Sequence, residues 1–148
     1  MAGYFIKKHY KTNDLYPGED GLHFSRRAYA QAEAFSSCQG FLLYETKQGD
    51  PGSLKGSGTL YGYGHPIGKP DYSSSPRVAN GQTFPYSVAI IIEGQMTDRT
   101  KGISLDTLRK KYGINMCRIL GGIVPVNEDI FLDLKKELVK RIREESKA

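Results

Sequence analysis

The sequence predicts a single α+β domain, in which short strands joined mostly by loops are flanked by helices. Three stretches carry that expectation. "GFLLYET" (40–46) is a near-continuous apolar and aromatic run, the pattern of a central strand covered on both faces. "YSVAIIIEGQM" (86–96) is the clearest strand in the chain. "NEDIFLDLKKELVKRIREESKA" (127–148) is an amphipathic helix: Ile130, Leu134, Leu138 and Ile142 recur every four residues, and Asn127, Glu128 and Asp129 suit its positive N-terminus. At 148 residues the chain has the length of one domain with a real core, and it shows no internal repeat or linker.

The remaining elements follow in order. "GYFIKKHY" (3–10) reads as an opening strand with a basic end, and "KTNDLYPGEDG" (11–21) as turn material. "FSRRAYAQAEAF" (24–35) reads as a helix, with Ser25 as N-cap and Ala28, Ala30, Ala32 and Ala34 as strong helix formers. After a loop at 47–58, "GTLYGYGHPIGKPDY" offers a strand at 59–64 that Pro66 and Pro70 should stop. Its alternation places Tyr61 and Tyr63 on one face. "DYSSSPRVANGQTF" (71–84) reads as a loop rich in Ser, Pro, Gly and Asn. "GISLDTLRKKYG" (102–113) is a short helix, with Ser104 as N-cap, Leu105 and Leu108 inward, and Gly113 where a left-handed C-cap belongs. "CRILGGIVPV" (117–126) gives a short strand and turn.

Composition narrows the function classes. Charged residues make up 25% and hydrophobic residues 39%, which suits a soluble globular protein rather than a disordered one. No apolar run approaches the roughly 20 residues a membrane span needs, and no signal peptide is seen, so the expectation is a cytoplasmic protein without a membrane partner. Cys38 and Cys117 lack metal-ligand spacing and read as buried thiols, so neither a metal nor a cofactor is expected. The net charge of +5 is compatible with an anionic partner such as a phosphate backbone. Ten tyrosines and six phenylalanines, with no tryptophan, are the sharper signal, because many adjoin glycines or basic residues.

The glycines of "GYGHPIG" do not form a nucleotide loop. Their spacing is not that of a dinucleotide fingerprint, and Pro66 and Pro70 forbid the helix whose N-terminus would meet the phosphates. A small enzyme acting on a nucleotide-like substrate, using His65 or His23 with Cys38, is a rival reading, although no catalytic motif ties these residues together. A tyrosine-rich surface that binds a protein subunit is another. Nucleic-acid binding gathers more separate signals. "FSRRAY" sets Arg26 and Arg27 between Phe24 and Tyr29, while "DRTKG" and "RKKYG" cluster further cations around one helix.

The order of "GFLLYET", "GTLYGYGHPIGKPDY", "FPYSVAIIIEGQMTDRTKGISLDTLRKKYGI" and "RILGGIVPVNEDIFLDLKKEL" resembles the PUA-like superfamily, most of all its EVE-type members. The likeness spans about residues 38 to 142 and is carried best by "ISLDTLRKKYGI" and "VPVNEDIFLDL". It implies a small curved or barrel-like mixed β-sheet flanked by helices, binding nucleic acid. Such domains capture a modified, flipped base in an aromatic pocket, and relatives serve as specificity modules of McrBC-type modification-dependent restriction systems. Motor and nuclease subunits are then separate partners, and this chain carries neither of their motifs. Family pockets often use tryptophan, so a cage here would be built from Tyr and Phe.

On that reading the expected function is non-enzymatic recognition of a modified base, with DNA favoured over RNA. The stacking candidates are Phe24, Tyr29, Tyr61, Tyr63, Tyr72 and Phe84. Ser36 and Ser37 are candidates for hydrogen bonds to a base edge. Arg26, Arg27, Lys69, Arg77 and Lys101 are candidates for phosphate contacts.

Overall fold

The computed structural model describes residues 3–9, 21–47, 56–79, 82–116 and 122–147, with backbone alone for 73–79 and 82. The architecture is α+β in a single body. The main sheet holds β1 (Tyr4–His9), β3 (Gly40–Glu45), β4 (Thr59–Pro66), β7 (Ile90–Gln95) and β9 (Ile123–Val126) in the order β7-β4-β3-β1-β9, with β8 (Ile103–Ser104) paired onto β4. β1 and β3 run parallel and the other pairs antiparallel, which makes the sheet mixed. A smaller antiparallel sheet has the order β2-β6-β5, from β2 (Leu22–Phe24), β6 (Gln82–Val88) and β5 (Asp71–Ala79).

Strand alternation splits the core in two. On one face of the main sheet, Phe41 and Leu43 meet Leu22, Phe24 and Val88 of the small sheet and Ala32 and Phe35 of α1 (Tyr29–Ser36). On the other face, Ile6, Leu42, Tyr44 and Leu60 meet Leu108 of α2 (Leu105–Tyr112) and Phe131, Leu134 and Leu138 of α3 (Glu128–Lys147). Every residue of β3 is buried, as a strand between two packed layers requires. Both predicted caps are formed on α2: Ser104 Oγ accepts the Thr107 N–H at 3.2 Å, and Gly113 closes the C-terminus at φ 67°. Asn127 Oδ1 accepts the Ile130 N–H at 2.8 Å and caps α3.

Four sequence expectations change. The stretch 71–84 is not a loop but β5 and most of β6, a hairpin whose closing pair is Ala79 and Gln82. The strand expected over 86–96 breaks at Ala89, so that its halves serve different sheets. β4 runs on through Pro66, because the β3 ladder ends at Gly64 and Pro66 pairs only with Ile90 of β7, where no second amide is needed. The helix expected from Ser25 opens instead as a 3-10 turn at Arg26–Ala28, and Ser25 makes no side-chain cap.

Gly64 shows what the glycines of β4 are for. A Cβ there would lie 2.1 Å from the Ile91 carbonyl oxygen and 2.9 Å from the Phe41 ring, so β7 closes on β4 only over a glycine.

Candidate functional site

One exposed surface joins three tyrosines from three elements. Along β6, Phe84, Tyr86 and Val88 share a face, and Val88 lies in the core opposite Leu22. Tyr86 stands between Phe24 on β2 and Tyr72 on β5, directly paired with each. Phe24 is buried, Tyr86 half-buried and Tyr72 59% exposed, so one row of side chains climbs from the core to the surface. Tyr29, the first residue of α1 and 46% exposed, sets its ring 5.1 Å from Tyr86; the Tyr72 ring lies 5.6 Å from Tyr86 on the other side. The first contact is tilted and the second edge-on, as aromatic quadrupoles prefer.

Tyr29 is held from below by its own helix. Its Oη donates to Glu33 Oε2 at 3.1 Å, and that hydrogen bond, with the carboxylate's charge, raises the phenol's pKa. Arg26 and Arg27 occupy the 3-10 turn immediately before Tyr29, which packs against β6. Both are exposed, and neither forms an ion pair or side-chain hydrogen bond among the described residues. Three aromatic faces beside two uncompensated guanidinium groups suit stacking on unpaired bases and contact with their phosphates.

The other sequence candidates are dispersed. Tyr61 and Tyr63 do not share a face. Leu43 pairs with Gly62 but Tyr44 with Leu60, so Tyr61 is the extra residue of a β-bulge and the alternation slips there. Tyr61 is fully buried toward the small sheet, whereas Tyr63 packs on the α3 side with Lys135 Nζ 5.3 Å from its ring centroid. Phe24 is likewise core, its ring tilted against that of Phe35 at 5.5 Å. Phe84 is half-buried, and the backbone position of Arg77 lies opposite it across the hairpin. Lys69 is exposed just before β5. Lys101 is exposed in a separate 3-10 turn (Arg99–Lys101) that packs on β4. Ser36 and Ser37 both donate to the Glu33 carbonyl, at 2.7 and 3.5 Å, and so finish α1.

In the rival catalytic set the thiol is not activated. Cys38 Sγ donates to the Gly40 carbonyl at 3.4 Å, and burial pushes its thiol up to about 11, the opposite of an activated nucleophile. His65 faces outward against Glu93 at 3.0 Å, and His23 is buried on β2. Cys117 lies outside the described residues. No group of three or more His, Cys, Asp or Glu stands ready for a metal ion among the described residues, nor is any helix there long and apolar enough to cross a membrane.

A second cluster was not anticipated. At one end of the inter-sheet layer, His9 Nε2 and Tyr61 Oη lie 2.6 Å apart, and the Arg99 guanidinium covers the Tyr61 ring at 4.1 Å. Arg99 also donates to Glu45 Oε2 at 2.6 Å, while Glu45 Oε1 accepts the Ser57 N–H at 2.8 Å. Lys7, on the same face of β1 as His9, is 3% exposed and sets its Nζ 4.7 Å from the Phe24 ring centroid. The signal in sequence was the period-2 row Phe5, Lys7, His9, which turns an apolar strand face polar along its length. No family profile and no curated protein matches this chain.

Proposed function

We propose that the protein is a non-enzymatic nucleic-acid-binding domain that stacks unpaired bases on Tyr29, Tyr86 and Tyr72. The observation that carries this reading is the position of that row beside Arg26 and Arg27. Aromatic faces take bases of any sequence, and arginines add phosphate contacts and stacking of their own. Phe24 and Tyr61 leave the stacking set and act from beneath, fixing the strands that present the exposed rings.

The finer reading is recognition of a methylated base in DNA, flipped or already single-stranded, as the specificity module of a modification-dependent restriction system. Its support is the sequence likeness to EVE-type domains, together with the physics of a flipped base, whose two faces and edge all become accessible. Motor and nuclease subunits are the partners this reading implies, and an RNA reader of the same kind is the alternative.

Fluorescence anisotropy with modified and unmodified, single- and double-stranded DNA and RNA oligonucleotides, repeated across a salt series, tests the proposal. Sub-micromolar, salt-sensitive binding that is tighter for unpaired than for duplex strands is expected, with a preference for a methylated base in DNA. Absence of binding to every oligonucleotide at low salt overturns it, and a preference for RNA moves the assignment to the alternative.

A further inference from the structure

We infer that the outward side of α3 docks an acidic amphipathic helix of a partner protein. This surface lies apart from the tyrosine row and does not depend on the nucleic-acid reading.

α3 carries two stripes. Phe131, Leu134 and Leu138 bury one of them against the main sheet, on the face opposite the small sheet. The other stripe faces solvent. There Leu132 is 51% exposed, and Val139, half-buried, follows it one heptad later. Lys136 and Arg143 each stand four residues after one of these apolar positions. With Lys140 and Lys147 they form a row of cations at i, i+4, i+7 and i+11, roughly 16 Å long. All four are exposed, and none forms an ion pair or side-chain hydrogen bond among the described residues.

An open groove of about 910 Å³ follows this row and is bounded by Lys111 and Tyr112 at the end of α2. Its carboxylates leave the cations uncompensated. Asp133 accepts the Tyr112 hydroxyl, and Glu137 pairs with Arg141 at 2.7 Å, which leaves Glu144 as the third acid of the lining.

The apolar and cationic groups together select the occupant. A phosphate backbone would satisfy the cations but leave Leu132 and Val139 against water. A bilayer needs a free apolar face, and that of α3 is buried in the core. A second copy across a two-fold axis would set the same cations against one another. A helix with apolar residues at heptad spacing and carboxylates along one flank meets both features. Its apolar seam covers Leu132 and Val139, and its carboxylates reach Lys136 and Arg143.

The test is fluorescence anisotropy with a labelled peptide of about three heptads, leucine at a and d and glutamate at e and g. A control peptide of the same composition spreads its leucines around the helix. The native protein should bind the first peptide at least about tenfold more tightly than the control. Lys136→Gln with Arg143→Gln should weaken that binding about tenfold or more and flatten its salt dependence. Leu132→Gln should weaken it several-fold, while Arg26→Ala with Arg27→Ala leaves it unchanged. Glutamine keeps the helix propensity of an exposed position, so these variants fold. Equal affinity for the two peptides, no binding at low salt, or loss through Arg26 and Arg27 instead of α3 overturns the proposal. So does an oligonucleotide that displaces the peptide and is itself weakened by Lys136→Gln with Arg143→Gln, which would make α3 a nucleic-acid surface.

Discussion

Replacing Lys7 with methionine should flatten the pH dependence of stability between pH 7 and 8.5. In the unfolded chain this lysine keeps its ordinary value of 10.5, whereas in the folded chain burial lowers it to about 7. Below the folded value both states hold the proton, and the folded state bears the full cost of a buried ammonium. Between the two values the unfolded chain holds a proton that the folded chain lacks, so stability rises with pH by about 1 kcal/mol per unit. The whole window corresponds to about 5 kcal/mol, of which about 2 kcal/mol falls between pH 7 and 8.5. The upper bound avoids the Cys38 thiol, whose raised folded value makes the folded state less favourable once the unfolded thiol ionises near 9. Methionine keeps the length of the side chain and its contact with Phe24 without the charge. Urea denaturation of both proteins at half-unit pH steps measures the difference. The native protein should gain stability over this range relative to the variant, which should also be the more stable of the two at pH 7. Parallel curves would refute the claim that burial holds the Lys7 amine below its ordinary value.

Removing Arg26 and Arg27 together (Arg26→Ala, Arg27→Ala) should lower the slope of log K against log salt by up to about 2 for oligonucleotide binding, as loss of two phosphate contacts requires. Thermal stability should hardly change, because both side chains are exposed. Gly64→Ala should destabilise by about 1–3 kcal/mol through the clash with the Ile91 carbonyl, a fall in Tm of roughly 2–12 °C by calorimetry. An unchanged Tm would show that β7 does not close on β4 as described.

How far the sequence reached depends on how local each determinant was. α2 and α3 were legible because their caps and apolar stripes lie within one segment: Ser104, Gly113 and Asn127 each act on amides or carbonyls a turn away. β3 was legible because burial on both faces writes itself as an unbroken apolar run. The hairpin of β5 and β6 was missed although its signal was present, since Asn80-Gly81 lies between the paired Ala79 and Gln82, the strongest two-residue hairpin sequence. The polar composition of 71–84 hid it, because β5 is the edge of a small sheet and needs no apolar alternation.

The candidate site was half legible. Tyr29, Arg26 and Arg27 were found together because they are neighbours in the chain. Tyr72 was found, but its partner Tyr86 was absorbed into the strand 86–96, and only cross-strand register brings the two rings together. Tyr61 and Tyr63 failed for a nonlocal reason. Period-2 reasoning assumes an unbroken ladder, and a bulge that depends on pairing with β3 reverses the face. The Lys7 cluster draws on β1, β3, β4 and a 3-10 turn, so no single stretch announces it.

The central claim is that the exposed tyrosine row, and not the tyrosines of β4, meets nucleic acid. Affinity of one single-stranded oligonucleotide for the native protein, Tyr72→Ala and Tyr63→Ala, with folding confirmed by circular dichroism, tests it most directly. Loss of one stacked base should cost about 1–3 kcal/mol, so Tyr72→Ala should bind roughly 5- to 150-fold more weakly. Tyr63→Ala, altered beneath α3, should stay within about twofold of native on the same stacking argument. Undiminished binding by Tyr72→Ala would contradict the account.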